Sequence, residues 1–223
     1  MSASEFDQFF YDATQETPFP FQSAFASAES LPSLVNVPTG LGKTAMAVLG
    51  WLWRRRFAEN VTPRRLVYCL PMRVLVEQTR DNAIRWLYNL DRLGGDVEFD
   101  PPLKPTEQAT SKHQIKRYVP CADEASKIAV YVLMGGEDEG DWDIHPERDA
   151  IIIGTQDMLL SRALNRGYGM SRYRWPMHFG LLNNDCMWVF DEVQLMDVGA
   201  ATSAQLEAFH RKLGTSGNTQ CVW

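Results

Sequence analysis

The chain has 223 residues, 45% of them hydrophobic, and a formal net charge of −6. That length holds one large α/β domain or two small ones, with apolar content enough for a substantial core. The acidic balance gives no global signature of nucleic-acid binding. No apolar run approaches the roughly 20 residues of a membrane helix, and Met1–Glu5 lacks the basic-then-apolar order of a secretory signal.

In chain order, Phe19-Pro20-Phe21-Gln22 reads as a Pro-containing turn with aromatics. Leu34–Val37 is a candidate strand. It runs into Pro38-Thr39-Gly40-Leu41-Gly42-Lys43-Thr44 and then a helical pattern over Lys43–Phe57. Strand, glycine-containing turn and helix make the context of a phosphate-binding loop, in which backbone N–H groups and the helix N-terminus face phosphate oxygens. Thr39, Gly40, Leu41 and Gly42 would line the phosphates, Lys43 would reach the β- and γ-phosphates, and Thr44 would ligate Mg²⁺. The strict G-x-x-x-x-G-K-[ST] pattern fails, because Val37 stands where its first Gly belongs; a chance Gly-rich turn before a helix is the competing reading.

A strand at Leu66–Leu70 precedes Pro71 and a helical pattern over Arg73–Leu93. The Pro-bearing stretch Gly94–Thr106 reads as a surface loop. A strand at Ile128–Leu133 runs into Met134-Gly135-Gly136. The acidic stretch Gly136–Asp149 reads as a solvated loop that must lie away from any nucleic acid, and it lacks the spacing of a calcium loop.

Ala150–Ile153 is another strand, followed by Gly154-Thr155 and a helix over Gln156–Asn165 for which Thr155 is a natural N-cap. From Met158 to Asn184 there is no carboxylate. Within that stretch Arg162–Trp175 interleaves arginines with Tyr168, Tyr173 and Trp175. This suits a single-stranded nucleic-acid path; a solvated basic loop with locally packed aromatics is the alternative.

The apolar strand Met187–Phe190 delivers Asp191-Glu192 to the carboxyl edge of a sheet, where ligands of open α/β sheets bind. Asp191 would hold Mg²⁺, and Glu192 would orient and polarise a water. A helix over Ser203–Leu213, capped by Thr202 or Ser203 with Leu206, Phe209 and Leu213 on one face, leads to a strand at Gln220–Trp223. Cys69, Cys121, Cys186 and Cys221 form no CxxC pair and read as reduced thiols of a cytoplasmic protein. Strand–helix alternation gives an α/β fold, one domain over 1–223 with a mostly parallel sheet and helices on both faces, and the phosphate-binding loop makes it one of the P-loop NTPase type.

With these motifs in order, the chain resembles superfamily 2 helicases. Thr39–Thr44 is similar to their shorter T-G-x-G-K-T loop. Val189–Gln194 resembles their DExH/DEAD box, with Gln194 in the place of the usual His or Asp that couples the nucleotide site to the nucleic-acid path. Phe19–Gln22 resembles the adenine-reading element, with Gln22 on the base; an ordinary Pro-rich turn with a buried aromatic stands beside that reading. Leu70–Gln78 resembles P-x-R-x-L-x-x-Q, Met134–Gly136 the Gly pair, and Gly154–Leu159 the G-T-x-x-x-L motif. The resemblance implies a first RecA-like domain that uses ATP and Mg²⁺. It also implies that Pro71, Arg73, Gly135, Gly136, Thr155, Gln156, Arg162 and Arg166 hold a nucleic-acid backbone without reading sequence.

Ile153–Met196 further resembles the CRISPR-associated helicase–nuclease of type I systems, subtype I-U (I-G). That resemblance implies a motor on single-stranded DNA, recruited by a crRNA-guided surveillance complex. It also implies that the chain is the front of a longer protein whose second RecA-like domain and nuclease follow, so that alone it binds ATP weakly and does not unwind. Another superfamily 2 translocase, an RNA helicase, or a catalytically silent binding module would share much of the pattern.

Overall fold

The Val- and Ile-rich runs fold as strands covered on both faces, as their composition predicts. The computed structural model describes residues 3–104, 106–135 and 140–223. In chain order the helices are α1 (Ala3–Thr14), α2 (Pro20–Ser27), α3 (Lys43–Phe57), α4 (Arg73–Asn89), α5 (Gln156–Ala163), α6 (Trp175–Asn183) and α7 (Val198–Leu213). The strands are β1 (Arg65–Leu70), β2 (Gly95–Asp100), β3 (Gln114–Pro120), β4 (Ala129–Leu133), β5 (Ala150–Thr155), β6 (Cys186–Phe190) and β7 (Gln220–Val222).

Five strands form one parallel sheet in the order β4-β5-β1-β6-β7. Side chains alternate across it. Leu66, Tyr68 and Leu70 face a core with Met46, Trp51, Val76 and Leu87 of α3 and α4. Val67 and Cys69 face the opposite core, with Leu159, Leu160 and Leu206 of α5 and α7. The chain leaves β1, comes back through β4 and β5 on one side, and then crosses to β6 on the other. That reversal beside β1 is a topological switch point, and it opens a crevice at the carboxyl ends of β1, β5 and β6.

Several expectations need correction. Leu34–Val37 is not a regular strand. It is extended backbone that reaches the sheet edge through two bonds, Val35 N–H to Trp223 O (2.7 Å) and Trp223 N–H to Ser33 O (2.9 Å). The predicted loop Gly94–Thr106 contains β2, which pairs antiparallel with β3. Its alternation of exposed Asp96, Glu98 and Asp100 with inward Val97 and Phe99 is a half-buried strand pattern.

Helix α7 starts five residues early, at Val198. Thr202 and Ser203 therefore do not cap it; their hydroxyls bond back to Val198 O and Ala200 O. Leu206 is buried, but Phe209 and Leu213 are exposed. Helix α1 was unforeseen, although Phe6, Phe9, Phe10 and Ala13 stand at helical spacing. They pack with Trp53 into a third apolar cluster outside α3.

Candidate functional site

Thr39, Gly40 and Leu41 form an exposed turn that enters α3 at Gly42, and Lys43 and Thr44 begin the helix. Gly40 and Gly42 have φ of +86° and +76°, the left-handed region that glycine enters without cost. A Cβ on Gly42 would lie 2.7 Å from Gln22 Nε2, whereas one on Gly40 would meet nothing within 4 Å. The turn thus packs tightly on α2 and presents an open face outward, with the free N–H groups of the first helical turn behind it.

Across the crevice, Asp191 closes the ladder beyond β6, its N–H bonded to Cys69 O at 3.1 Å. Lys43 Nζ lies 3.1 Å from Glu192 Oε1 and 3.7 Å from Asp191 Oδ1. Gln194 Nε2 donates to the other oxygen of Glu192. Glu192 is thus clasped from two sides, on a backbone at φ +54°, where non-glycine residues are strained. Lys43 and the acidic pair, far apart in the chain, thus meet across the crevice.

Sequence reasoning missed Tyr68. Its hydroxyl donates to Asp191 Oδ2 at 2.9 Å and stands 3.5 Å from Thr44 Oγ1. Burial first, and then the Asp191 charge, push this phenol well above its usual range, so it stays a donor. The only signal in the sequence was a polar tip inside an otherwise apolar strand close to its carboxyl end.

Gln22 departs from its expected place. It is buried, its Nε2 donates to Gly42 O (2.9 Å), and its Oε1 accepts from Phe19 N–H (2.8 Å). Its amide thus ties α2 to the phosphate loop. The exposed aromatic of that element is Phe19, stacked on Phe21 with ring centroids 5.9 Å apart.

The oxygen donors Thr44 and Asp191, side by side through Tyr68, suit a hard cation that keeps water and phosphate in its shell. Among the described residues no group of three or more His, Cys, Asp or Glu could hold a metal by itself. All four cysteines are free thiols, and burial pushes Cys186 up to about 11 and Cys221 to about 12.

The predicted nucleic-acid residues divide. Pro71 lies at the end of β1, and Arg73 donates to Gly135 O, joining two of the loops. Gly136 lies outside the described residues. Thr155 stands at the N-cap position of α5, but its hydroxyl makes no capping bond. Gln156 packs against Gly199, where an added Cβ would collide with its Oε1. Arg166 is exposed.

Arg162 is a correction: at 0% exposure it is sealed beneath α5 and cannot touch a strand running over the surface. Below it, Asp143 is also buried, contrary to a solvated acidic loop. Arg174 NH2 and His178 Nε2 both bond to its Oδ2, the latter at 2.8 Å, and Trp142 packs edge-on against the His178 ring at 4.5 Å. Burial opposes the Asp143 charge, but bonds from Arg174 and His178 outweigh it and hold the carboxyl below its usual range. Burial holds His178 below its usual range. Over this base, Tyr168 and Tyr173 are 71% and 97% exposed, and Arg172 stacks on Trp175 at 5.7 Å.

The DEAD/DEAH box helicase family model matches residues 22–223. Two solved structures of the DUF1998 helicase MrfA share the fold. The one bound to DNA and AMPPNP has a TM-score of 0.60 at 16% identity, and the other 0.57 at 17%. The chain is covered to 97% and 98% in these comparisons but spans only 26% and 28% of the MrfA chains. No curated protein matches it. No described helix is long and apolar enough to cross a membrane.

Proposed function

This chain belongs to the DEAD/DEAH box helicase family, and from that premise we propose that it is the ATP-binding motor domain of a helicase or translocase acting on single-stranded DNA. The observation that carries the reading is the meeting of Lys43 with Asp191 and Glu192 beside an open glycine turn. Backbone N–H groups from Gly40 to Thr44 hold the phosphates, and Lys43 exchanges Glu192 for phosphate oxygens. Glu192, released on that side and still held by Gln194, orients a water and accepts its proton. Gln194 thereby links the hydrolytic carboxylate to the rest of the crevice. Thr44 and Asp191 are the residues to hold Mg²⁺, which supplies charge neutralisation to the phosphates when bound. Gln22 sets the height of the loop, and Phe19 offers a flat apolar face for the base.

The DNA would run across Arg73, Gly135, Thr155 and Gln156 at the carboxyl edge of the sheet and on to the exposed Arg166. The MrfA structure that holds DNA and AMPPNP supports this choice of ligands by analogy of fold. A second RecA-like domain would complete the cleft with arginine fingers, worth about 10³–10⁵ in turnover in related enzymes. The Ile153–Met196 resemblance carries the finer reading: a type I CRISPR motor of the cytoplasm, recruited by a crRNA-guided surveillance complex.

The test of the core reading is a thermal shift. ATP at 100 times its Kd should stabilise the wild type by about 2.7 kcal/mol and leave Lys43→Ala unmoved. Equal protection of both proteins rejects the phosphate-loop assignment. ATPase rates with single-stranded DNA, single-stranded RNA and neither, on protein extended past Trp223, test the polymer. A gel shift with a crRNA-guided complex on its DNA target tests the branch; no binding there removes the CRISPR reading alone.

A further inference from the structure

β1 runs through the middle of the sheet, and a strand so placed is filled by Val, Ile or Leu. Tyr68 instead carries a hydroxyl into that core, at 1% exposure among Leu66, Leu70 and Met46. A buried hydroxyl needs partners to offset its lost hydration. It finds them on two different elements: Asp191 Oδ2 at 2.9 Å, beyond β6, and Thr44 Oγ1 at 3.5 Å, on α3. These are the two side chains assigned to magnesium. Asp191 Oδ1 meanwhile accepts the N–H of Glu192 at 2.9 Å, so both carboxylate oxygens are tied and the side chain is held in one orientation.

We propose that Tyr68 is a positioning residue of the metal site, whose hydroxyl sets the orientation of Asp191 and its separation from Thr44 before a metal arrives. The inference rests on the nucleotide-site reading above and adds to it a group that never touches the metal or the phosphates. A partner of this kind, one bond behind a metal ligand, typically governs about 10–100-fold in metal affinity. Its contacts are with the metal-side groups alone, so nucleotide held without metal is left alone.

Tyr68→Phe removes one oxygen and keeps the ring. Free Mn²⁺, counted by electron paramagnetic resonance in the presence of ATP, reports metal affinity. Fluorescence of a methylanthraniloyl-ATP in EDTA reports metal-free nucleotide affinity. The expected result is a loss of about 10–100-fold in Mn²⁺ affinity, with metal-free affinity changed less than about twofold. Tyr68→Leu, which also lacks the hydroxyl but packs differently, should repeat the metal loss while lowering the melting temperature further. Unchanged Mn²⁺ affinity in Tyr68→Phe, equal losses with and without metal, or a metal loss that follows melting temperature rather than the hydroxyl each overturn the role. If the wild type binds neither probe, the nucleotide-site reading falls and takes this inference with it. If the wild type binds Mn²⁺ with ATP and Tyr68→Phe binds as tightly, only the positioning role falls.

Discussion

The phosphate corner and the basic arm over residues 164–175 are built in opposite ways. In the corner the polar side chains are already paired. Lys43 is on Glu192, Tyr68 on Asp191, Gln22 on Gly42, and Gln194 on Glu192. In the arm the outward groups, Arg166, Tyr168 and Tyr173, stand in solvent, while the order lies underneath, in the buried set of Arg162, Asp143 and His178. On the proposed function the corner would exchange partners when a ligand arrives, so its affinities would be differences between contacts. The arm would gain contacts it did not have, so its affinities would follow charge and exposed ring area.

The sharpest test of that contrast is Glu192→Gln. It should lower ATP turnover by about 10²–10⁴-fold, the usual range for a lost general base, while ATP still raises the melting temperature. Lys43, freed from a carboxylate, should bind ATP at least as well as before; a loss of ATP protection would instead make Glu192 a structural anchor of the loop.

Next in size is Asp143→Ala, which takes the carboxylate partner from buried His178 and from Arg174. We expect a loss of about 3 kcal/mol in chemical denaturation, at the lower end for a broken buried pair because Arg174 is partly exposed. The same set predicts pH dependence. His178 is held below 6.5 and Asp143 below 3.8 in the folded state, so on acidification the unfolded chain takes up each proton first. Stability from both groups is complete above pH 6.5. It falls as the pH drops below that, first through His178 and then, at more acid pH, through Asp143. A melting temperature flat from pH 7 to 4 would contradict this.

Smaller effects belong to the surface of the arm. Tyr168→Ala should weaken single-stranded DNA binding by about 1–3 kcal/mol and leave ATP protection untouched. Arg166→Ala should lower the salt slope of that binding by about 0.7, whereas Arg162→Ala should lower stability without selectively changing the slope. If Arg162 and Arg166 behave alike in a salt titration, the division between a buried base and an exposed surface is wrong.

The sequence made the corner legible because its chemistry is local. Gly40-Leu41-Gly42-Lys43-Thr44 and Asp191-Glu192 each announce themselves by residue type at fixed spacing, and the apolar strands before them fix which sheet edge they reach. Tyr68 was illegible for the opposite reason: its partners come from α3 and from the residue just past β6, and nothing next to it in the chain marks it. Arg162 misled because an arginine among arginines reads as surface. Only the packing of α5 on α6 decides that it points inward. β2 was hidden by its many acidic residues, although their alternation with Val97 and Phe99 was there to be counted.

The extended segment before the phosphate loop is tied to the sheet by Ser33 and Val35, and both bonds go to Trp223. Nearly all of the described chain lies between those partners, so this is among the most non-local pairings in the molecule and one of the slowest kinds of contact to form. On a ribosome adding about 5–20 residues per second, Gly40–Thr44 would be made early yet wait on the order of ten seconds or more for the strand that steadies them. Until residue 223 has been made, the glycine turn therefore lacks the pairing that steadies the segment leading into it.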